Sequence, residues 1–285
     1  MPELPEVETI ANGVNARIRG AQIVSVWTSG KPQTFKSPEM EIEAVLTGST
    51  IEGVRRVGKT IVVSLQREDQ KAEFLVHLGM TGRLLVAEDD IPKPPHTHAV
   101  LTLEDGRELR FVDPRRFGRL SVAVLGEPHA SLTATQTGAS REAYAGPGVE
   151  PTTIGDAEFA ALFKGRKLAI KAALLNQSLL HGVGNIYADE SLFRAGIRPR
   201  RQAGRLTRAE LARLREALQK VLARAIKLGG SSVSDYVDAE GMKGYFQIEH
   251  NVYGRGGEPC KVCGTPIRKI IVGGRGTHFC PVCQR

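Results

Sequence analysis

The run Met1-Pro2-Glu3-Leu4-Pro5-Glu6-Val7-Glu8-Thr9 places an imino acid directly behind the initiator methionine. With Met1 removed, Pro2 presents a secondary amine. Such an amine can attack a sugar aldehyde carbon and form an iminium, the Schiff-base chemistry more often performed by lysine. Glu3 beside it offers a carboxyl group for proton transfer at the same carbon. A plainer reading is available for the segment alone: proline suits the first helical turn and acids suit its positive end. The other chemistry-bearing group is Cys260-x2-Cys263 with Cys280-x2-Cys283, which are all the cysteines of the chain. Clustered CxxC pairs near one end match a tetrahedral site of four thiolates around one Zn2+, rather than the dispersed cysteines of a disulfide framework. Four protein ligands leave no position for a reactive water, so the expected role of this zinc is structural.

These groups need elements to position them. Over Pro5 to Gly20, Val7, Ile10, Ala11, Val14 and Ile18 form a helical stripe, so the amine hangs from the front of a packed helix. From Ala21 to about Leu125 the period changes to two. Strands are predicted at Ile23–Trp27, Thr60–Leu65, Glu73–Leu78, Ala99–Leu103, Glu108–Val112 and Leu120–Val124, with a hairpin turn at Glu104-Asp105-Gly106-Arg107. One helix followed by short strands implies a β-sandwich. Residues 126–150 lack any period and read as a linker. The second half is helical: Asp156–Lys164, Leu168–Gln177, Ile186–Arg194, and a long helix opened by the capping box Thr207-x-x-Glu210 and ended by Gly229-Gly230. The stretch 230–257 is too long for an idle connection. The cysteine unit reads as a zinc-held hairpin with Arg275 at its tip, too small to fold without metal.

The fold class is therefore α+β in two domains: a leading helix with a β-sandwich, then a helical domain carrying a zinc hairpin. The expected divisions are 1–130, a linker over 131–150, a helical domain over 151–250 and the zinc hairpin over 251–285. A net charge of +8, from 39 Lys+Arg against 31 Asp+Glu, favours a polyanionic partner. No apolar run is long enough for a membrane span and no signal-peptide core follows Met1, which points to the cytosol.

Six stretches together resemble the bacterial formamidopyrimidine-DNA glycosylase family: Met1–Thr9, Arg56-Val57-Gly58-Lys59, His77-Leu78-Gly79-Met80-Thr81-Gly82, Asp113-Pro114-Arg115-Arg116-Phe117-Gly118, Gly182-Val183-Gly184-Asn185-Ile186-Tyr187-Ala188 and the four-cysteine tail. The resemblance implies a monomeric glycosylase and abasic-site lyase that removes oxidised purines from damaged double-stranded DNA in the bacterial cytosol or nucleoid. It further implies a helix–two-turn–helix DNA-binding domain. Pro2 would be the nucleophile on the deoxyribose C1′ and Glu3 a proton donor. Lys59 and Arg275 would assist the β- and δ-eliminations and contact phosphates. His77, Lys171, Asn185 and Tyr253 would grip the backbone around a flipped nucleotide. Met80, Arg115 and Phe117 would fill the void it leaves, with Arg115 facing the orphaned base. Glu6, Ser232 and Tyr236 would line the lesion pocket, closed by a loop over 230–246. Many relatives carry a basic residue where this chain has Ser234, and Leu175-Asn176-Gln177 differs from the commoner Leu-Asp-Gln. Both bear on lesion preference. Two alternatives stand beside this reading: an endonuclease VIII-like enzyme for oxidised pyrimidines, and a DNA-binding relative without catalysis.

Overall fold

The computed structural model describes residues 1–126, 142–232, 239, 242 and 244–285. The chain divides into two compact units. One comprises Met1–Pro2, Glu6–Ala145 and Ser232–Gly244; the other comprises Glu3–Pro5, Gly146–Ser231 and Tyr245–Arg285.

The first unit holds most of helix α1 (Leu4–Ile18), helix α2 (Glu39–Leu46) and eight strands: β1 (Ile23–Thr28), β2 (Thr50–Val57), β3 (Thr60–Arg67), β4 (Gln70–His77), β5 (Arg83–Glu88), β6 (Thr97–Leu103), β7 (Arg107–Val112) and β8 (Arg119–Val124). They form two antiparallel four-stranded sheets, ordered β1-β6-β7-β5 and β2-β3-β4-β8. Ile10, Val14 and Ile18 of α1 share a core with Ile61, Phe74, Leu101 and Phe111 from both sheets. That is the expected sandwich under a helical stripe. The helix is tied to the sheet by polar contacts as well. Asn15 Oδ1 accepts the Val54 N–H at 2.8 Å, and Glu8 pairs with the Arg56 guanidinium at 2.6 Å.

Three elements of this unit are absent from the sequence expectation: α2, β2 and β5. The hairpin at 104–107 is as expected, with Gly106 in the left-handed region and the Asp105 carboxylate accepting the Arg107 N–H.

The second unit contains α3 (Asp156–Phe163), α4 (Ile170–Leu174), α5 (Asn185–Ala195), α6 (Arg208–Lys227) and the hairpin β9 (Arg268–Val272) and β10 (Arg275–Phe279). Helix α6 begins with the full capping box: Thr207 Oγ1 takes the Glu210 N–H while the Glu210 carboxylate takes the Thr207 N–H. Its Leu211, Leu214, Leu218 and Leu222 pack with Leu4, Phe159, Phe163, Tyr187 and Leu192. Helix α4 is shorter than the predicted Leu168–Gln177, because the backbone leaves the helix at Leu175 and turns through Asn176. The hairpin turn is Gly273-Gly274, so Arg275 stands first on β10 beside the turn rather than within it. The hairpin's base has only a small core of Phe193, Val252, Cys260, Ile267 and Cys280. So few apolar groups cannot offset the ordering entropy of such a segment, which is why a metal must.

Candidate active site and nucleic-acid interface

In the first unit, one rim of the sandwich collects the residues that could meet a nucleic acid. The two-residue turn Gly58-Lys59 joins β2 to β3, and Thr60 pairs with His77, the last residue of β4. His77 in turn pairs with Arg119, the first residue of β8. Lys59, His77 and Arg119 thus lie side by side because strand register puts them there. Burial lowers the His77 pKa below the ordinary histidine value, and the Lys59 and Arg119 cations lower it further. The imidazole is therefore neutral at neutral pH. Its Nδ1 accepts the Gly79 N–H at 3.1 Å, which leaves the proton on Nε2 as a donor for an external acceptor.

Two crossovers between the sheets leave the same rim. The β4–β5 turn carries Met80 and the β7–β8 turn carries Arg115 and Phe117. Met80 and Phe117 are 42% and 46% exposed, unusual for large apolar groups and suited to insertion into an apolar stack. The Arg115 guanidinium lies over the Phe117 ring, 4.7 Å from its centroid, so the two side chains brace each other. Pro2 is buried, with Met1 half exposed before it. Glu6 is almost fully buried on α1. Ser232 Oγ accepts the Gly244 N–H at 2.9 Å. Tyr236 and Ser234 lie outside the described residues, as does most of the 230–246 loop.

In the second unit, Glu3 sits at the start of α5. Its carboxylate accepts the Ile186 N–H at 3.2 Å and the Tyr187 N–H at 3.5 Å, two of the donors that a helix N-terminus leaves unpaired. The next residue is fixed as well, with the Leu4 N–H on the Gly182 carbonyl at 3.0 Å. A Cβ on Gly184 would fall inside the Glu3 carboxyl group, so only glycine admits this approach. The Glu3 carboxyl group is thus held at the positive end of the α5 dipole.

Lys171 is placed differently from a surface phosphate grip. It is fully buried, and its ammonium meets Asp189 Oδ1 at 2.7 Å, Thr277 Oγ1 at 2.8 Å and the Gly276 carbonyl at 3.0 Å. Two of these contacts are hydrogen bonds, to Thr277 and Gly276, and the third is an ion pair with Asp189. Burial pushes its pKa down while the Asp189 charge pushes it back up. The side chain acts as a strut between α4, α5 and β10. Asn185 donates from Nδ2 to the same Gly276 carbonyl at 2.9 Å, and Asp189 takes the His278 N–H at 2.8 Å. Arg275, adjacent to this knot, stays exposed. Burial raises the Tyr253 pKa and the Glu3 charge adds to the rise, while neighbouring Asn185 opposes it. The buried Glu190 carboxylate collects the N–H groups of Asn251, Val252 and Tyr253, fixing that segment.

The roles of Asp189, Thr277 and Glu190 escape the sequence reading. One signal was present: Asn185 and Asp189 are a helical turn apart and so share a face.

The four cysteine sulfurs lie within 4.8 Å of one another, with 3.9 Å between Cys260 and Cys283 and 3.5 Å between Cys263 and Cys280. A tetrahedron with Zn–S bonds of about 2.3 Å has sulfurs about 3.8 Å apart, so the set fits one zinc. The four thiolates hold a single structural Zn2+ at the base of the hairpin. Among the described residues no helix is long and apolar enough to cross a membrane.

Three family models match the chain: a formamidopyrimidine-DNA glycosylase N-terminal domain over residues 1–120, a formamidopyrimidine-DNA glycosylase H2TH domain over 147–237, and a zinc finger found in FPG and IleRS over 257–285. The formamidopyrimidine-DNA glycosylase of Solibacter usitatus is 43% identical, with all of both chains covered. Among solved structures, a variant of the Lactococcus lactis FPG in complex with a Fapy-dG containing DNA superposes with a TM-score of 0.84 at 33% identity, with both chains fully covered. The MutM (FPG) protein of Thermus thermophilus gives 0.82 at 40% identity, over 99% of this chain and 98% of that one.

Proposed function

The chain belongs to the formamidopyrimidine-DNA glycosylase family, and on that premise we propose that it excises oxidised purines from duplex DNA and then nicks the strand at the resulting site. Its place is base-excision repair, and its substrates are 8-oxoguanine and formamidopyrimidines. The placement that supports this reading most is Glu3. A carboxylate held on the N-terminus of α5 fixes the residue next to Pro2, and positioning supplies much of the rate of such a reaction.

The reaction begins when Met1 has been removed. An α-amino group titrates near 7.7–8.0, so a useful fraction is unprotonated at neutral pH. The Pro2 nitrogen attacks C1′, the bond from C1′ to the base breaks, and the base leaves with a proton. The sugar ring opens, with Glu3 as the proton donor, and an iminium links Pro2 to C1′. Loss of a C2′ proton expels the 3′ phosphate, and loss of a C4′ proton expels the 5′ phosphate. Lys59 and Arg275 serve these eliminations and the flanking phosphates. Water then hydrolyses the iminium and frees the amine. The zinc takes no part in these steps; it folds the hairpin that carries Arg275.

In binding DNA, the neutral His77 of the first unit donates from Nε2 to a phosphate, and Asn185 and Tyr253 of the second unit contact the backbone. Lys171 contributes by holding the hairpin. Met80, Arg115 and Phe117 fill the gap left by the extruded nucleotide, offsetting an unstacking cost of a few kcal/mol. Glu6, Ser232 and Tyr236 line the base pocket. The working division is a catalytic domain over 1–130, a linker over 131–150, a DNA-binding domain over 151–250 and a zinc hairpin over 251–285. The protein acts as a monomer in the cytosol, at the nucleoid.

Borohydride trapping on matched duplexes tests this reading. A covalent adduct should form with 8-oxoguanine opposite cytosine. Adducts confined to oxidised pyrimidines would move the chain to the endonuclease VIII-like branch, and tight binding without any adduct would make it a silent relative.

A further inference from the structure

The two turns that carry Met80 and the Arg115/Phe117 pair come from different crossovers, yet they meet on a single buried carboxylate. Asp113 is completely buried. Its Oδ1 accepts the Thr81 hydroxyl at 2.5 Å and the Arg115 N–H at 3.2 Å, and its Oδ2 accepts the Gly118 N–H at 2.8 Å. No cation is paired with it among the described residues, so its stabilisation comes from these neutral donors. Its own main chain is braced too. The Asp113 carbonyl receives the Arg116 N–H at 3.2 Å and His98 Nε2 at 3.0 Å, and the Asp113 N–H bonds the His96 carbonyl at 3.0 Å.

The backbones fit as closely as the side chains. Gly79 has a φ of +62°, and a Cβ there would stand 2.5 Å from the Phe117 carbonyl carbon. The residue before Met80 is therefore stacked on the backbone of Phe117. Neither turn can shift without breaking a hydrogen bond to a buried charge.

We propose that Asp113 is a positioning residue that latches the Met80 turn to the Arg115–Phe117 turn through the Thr81 hydroxyl, so that the three exposed side chains enter DNA as one rigid wedge. The proposal rests on the reading of those side chains as a void-filling set. It goes beyond that reading by naming what makes the set rigid. A wedge built on two independent turns would lose its side-chain entropy on insertion; a latched one has lost it on folding. The same latch orients Arg115, whose main-chain N–H is one of the three donors, and so bears on discrimination of the base opposite the lesion.

Thr81→Val removes the hydroxyl with little change of shape, whereas Thr81→Ser keeps it. Asp113→Asn puts an amide where all neighbours are donors, so at least one N–H loses its acceptor in either orientation of the amide. Single-turnover excision from an 8-oxoguanine:cytosine duplex should fall about 10- to 100-fold in Thr81→Val, the ratio expected for losing one hydrogen bond to a buried charge. The preference for cytosine over adenine opposite the lesion should narrow in step. Thr81→Ser should restore both. Borohydride trapping on a single-stranded abasic oligonucleotide, which has no opposing strand and no void, should be unchanged in every variant. Wild-type excision and selectivity in Thr81→Val would overturn the latch, as would a parallel loss of single-strand trapping, which would mark general damage. Absence of any adduct with the wild-type protein, on the single strand and on the duplex alike, would instead overturn the Pro2 reading and is distinct from failure of the latch.

Discussion

Replacing Lys171 by methionine removes the ammonium but keeps the length of the side chain. The carboxylate of Asp189, itself fully buried, would then keep the His278 N–H at 2.8 Å and the His278 imidazole Nδ1 at 3.6 Å, and Thr277 would lose its donor. Breaking a buried pair by deleting one partner costs about 3–5 kcal/mol. That is a large share of the roughly 5–15 kcal/mol that holds a domain together. Urea unfolding of the zinc-loaded protein, followed by a probe in the second unit, reads the loss directly. The double variant Lys171→Met with Asp189→Leu removes both charges and leaves mainly the His278 N–H unsatisfied, a cost of about 1–3 kcal/mol. It should therefore be more stable than Lys171→Met alone. The strut also predicts how DNA binding responds. Each phosphate contact contributes about 0.9 to the slope of log affinity against log salt. Under conditions where Lys171→Met is fully folded, that slope should match the wild type. A single variant losing under about 1 kcal/mol, or a double variant costing the sum of the two singles, would refute the buried pair as argued from its geometry. A slope reduced by about one would return Lys171 to the phosphates.

Removing zinc with a chelator should abolish DNA binding while the β-sandwich keeps its native spectrum, because among the described residues only five buried ones form the core at the hairpin base; unchanged affinity after confirmed metal loss would contradict this. His77 gives a pH effect of definite sign. Its folded pKa lies below 6.5, so the unfolded chain takes up a proton first as pH falls, and stability drops from pH 6.5 downward towards the folded value. His77→Gln should flatten that part of the curve for the first unit, and an unaltered slope would show that the imidazole is not so perturbed.

How far the fold was legible depended on whether local pattern and burial agreed. The stripe Ile10, Val14, Ile18 predicted α1 because that helix has a single buried face. Thr207-x-x-Glu210 predicted the start of α6 because both bonds of a capping box are local. Helix α2 was not legible: Glu39–Leu46 is two turns long, and its Ile42, Val45 and Leu46 are too few to set a period. Strand β2 was hidden by Gly53, Arg55 and Arg56, whose charges find Glu73 and Glu8 far away in sequence. In β5, Arg83–Glu88 buries only Leu84 fully, so alternation never emerges. The site followed the same logic. Motifs singled out Pro2, Glu3, His77 and the cysteines as candidates, yet no sequence rule says that Glu3 lies on the start of α5 or that Lys171 ends in a knot of three acceptors. Except for the pairing of Lys171 with Asp189, those are contacts between residues about a hundred or more positions apart, and only the folded chain brings them together.

Covalent chemistry at the Pro2 nitrogen is the step on which the other proposed roles depend. Its most direct test is to reduce the enzyme–DNA intermediate with borohydride, digest it, and locate the deoxyribose remnant by mass spectrometry in two preparations, one ending at Pro2 and one retaining Met1. A remnant should appear on the N-terminal proline of the first preparation, with DNA binding but no adduct in the second. A remnant on a lysine, or equal trapping by the protein that keeps Met1, would contradict it.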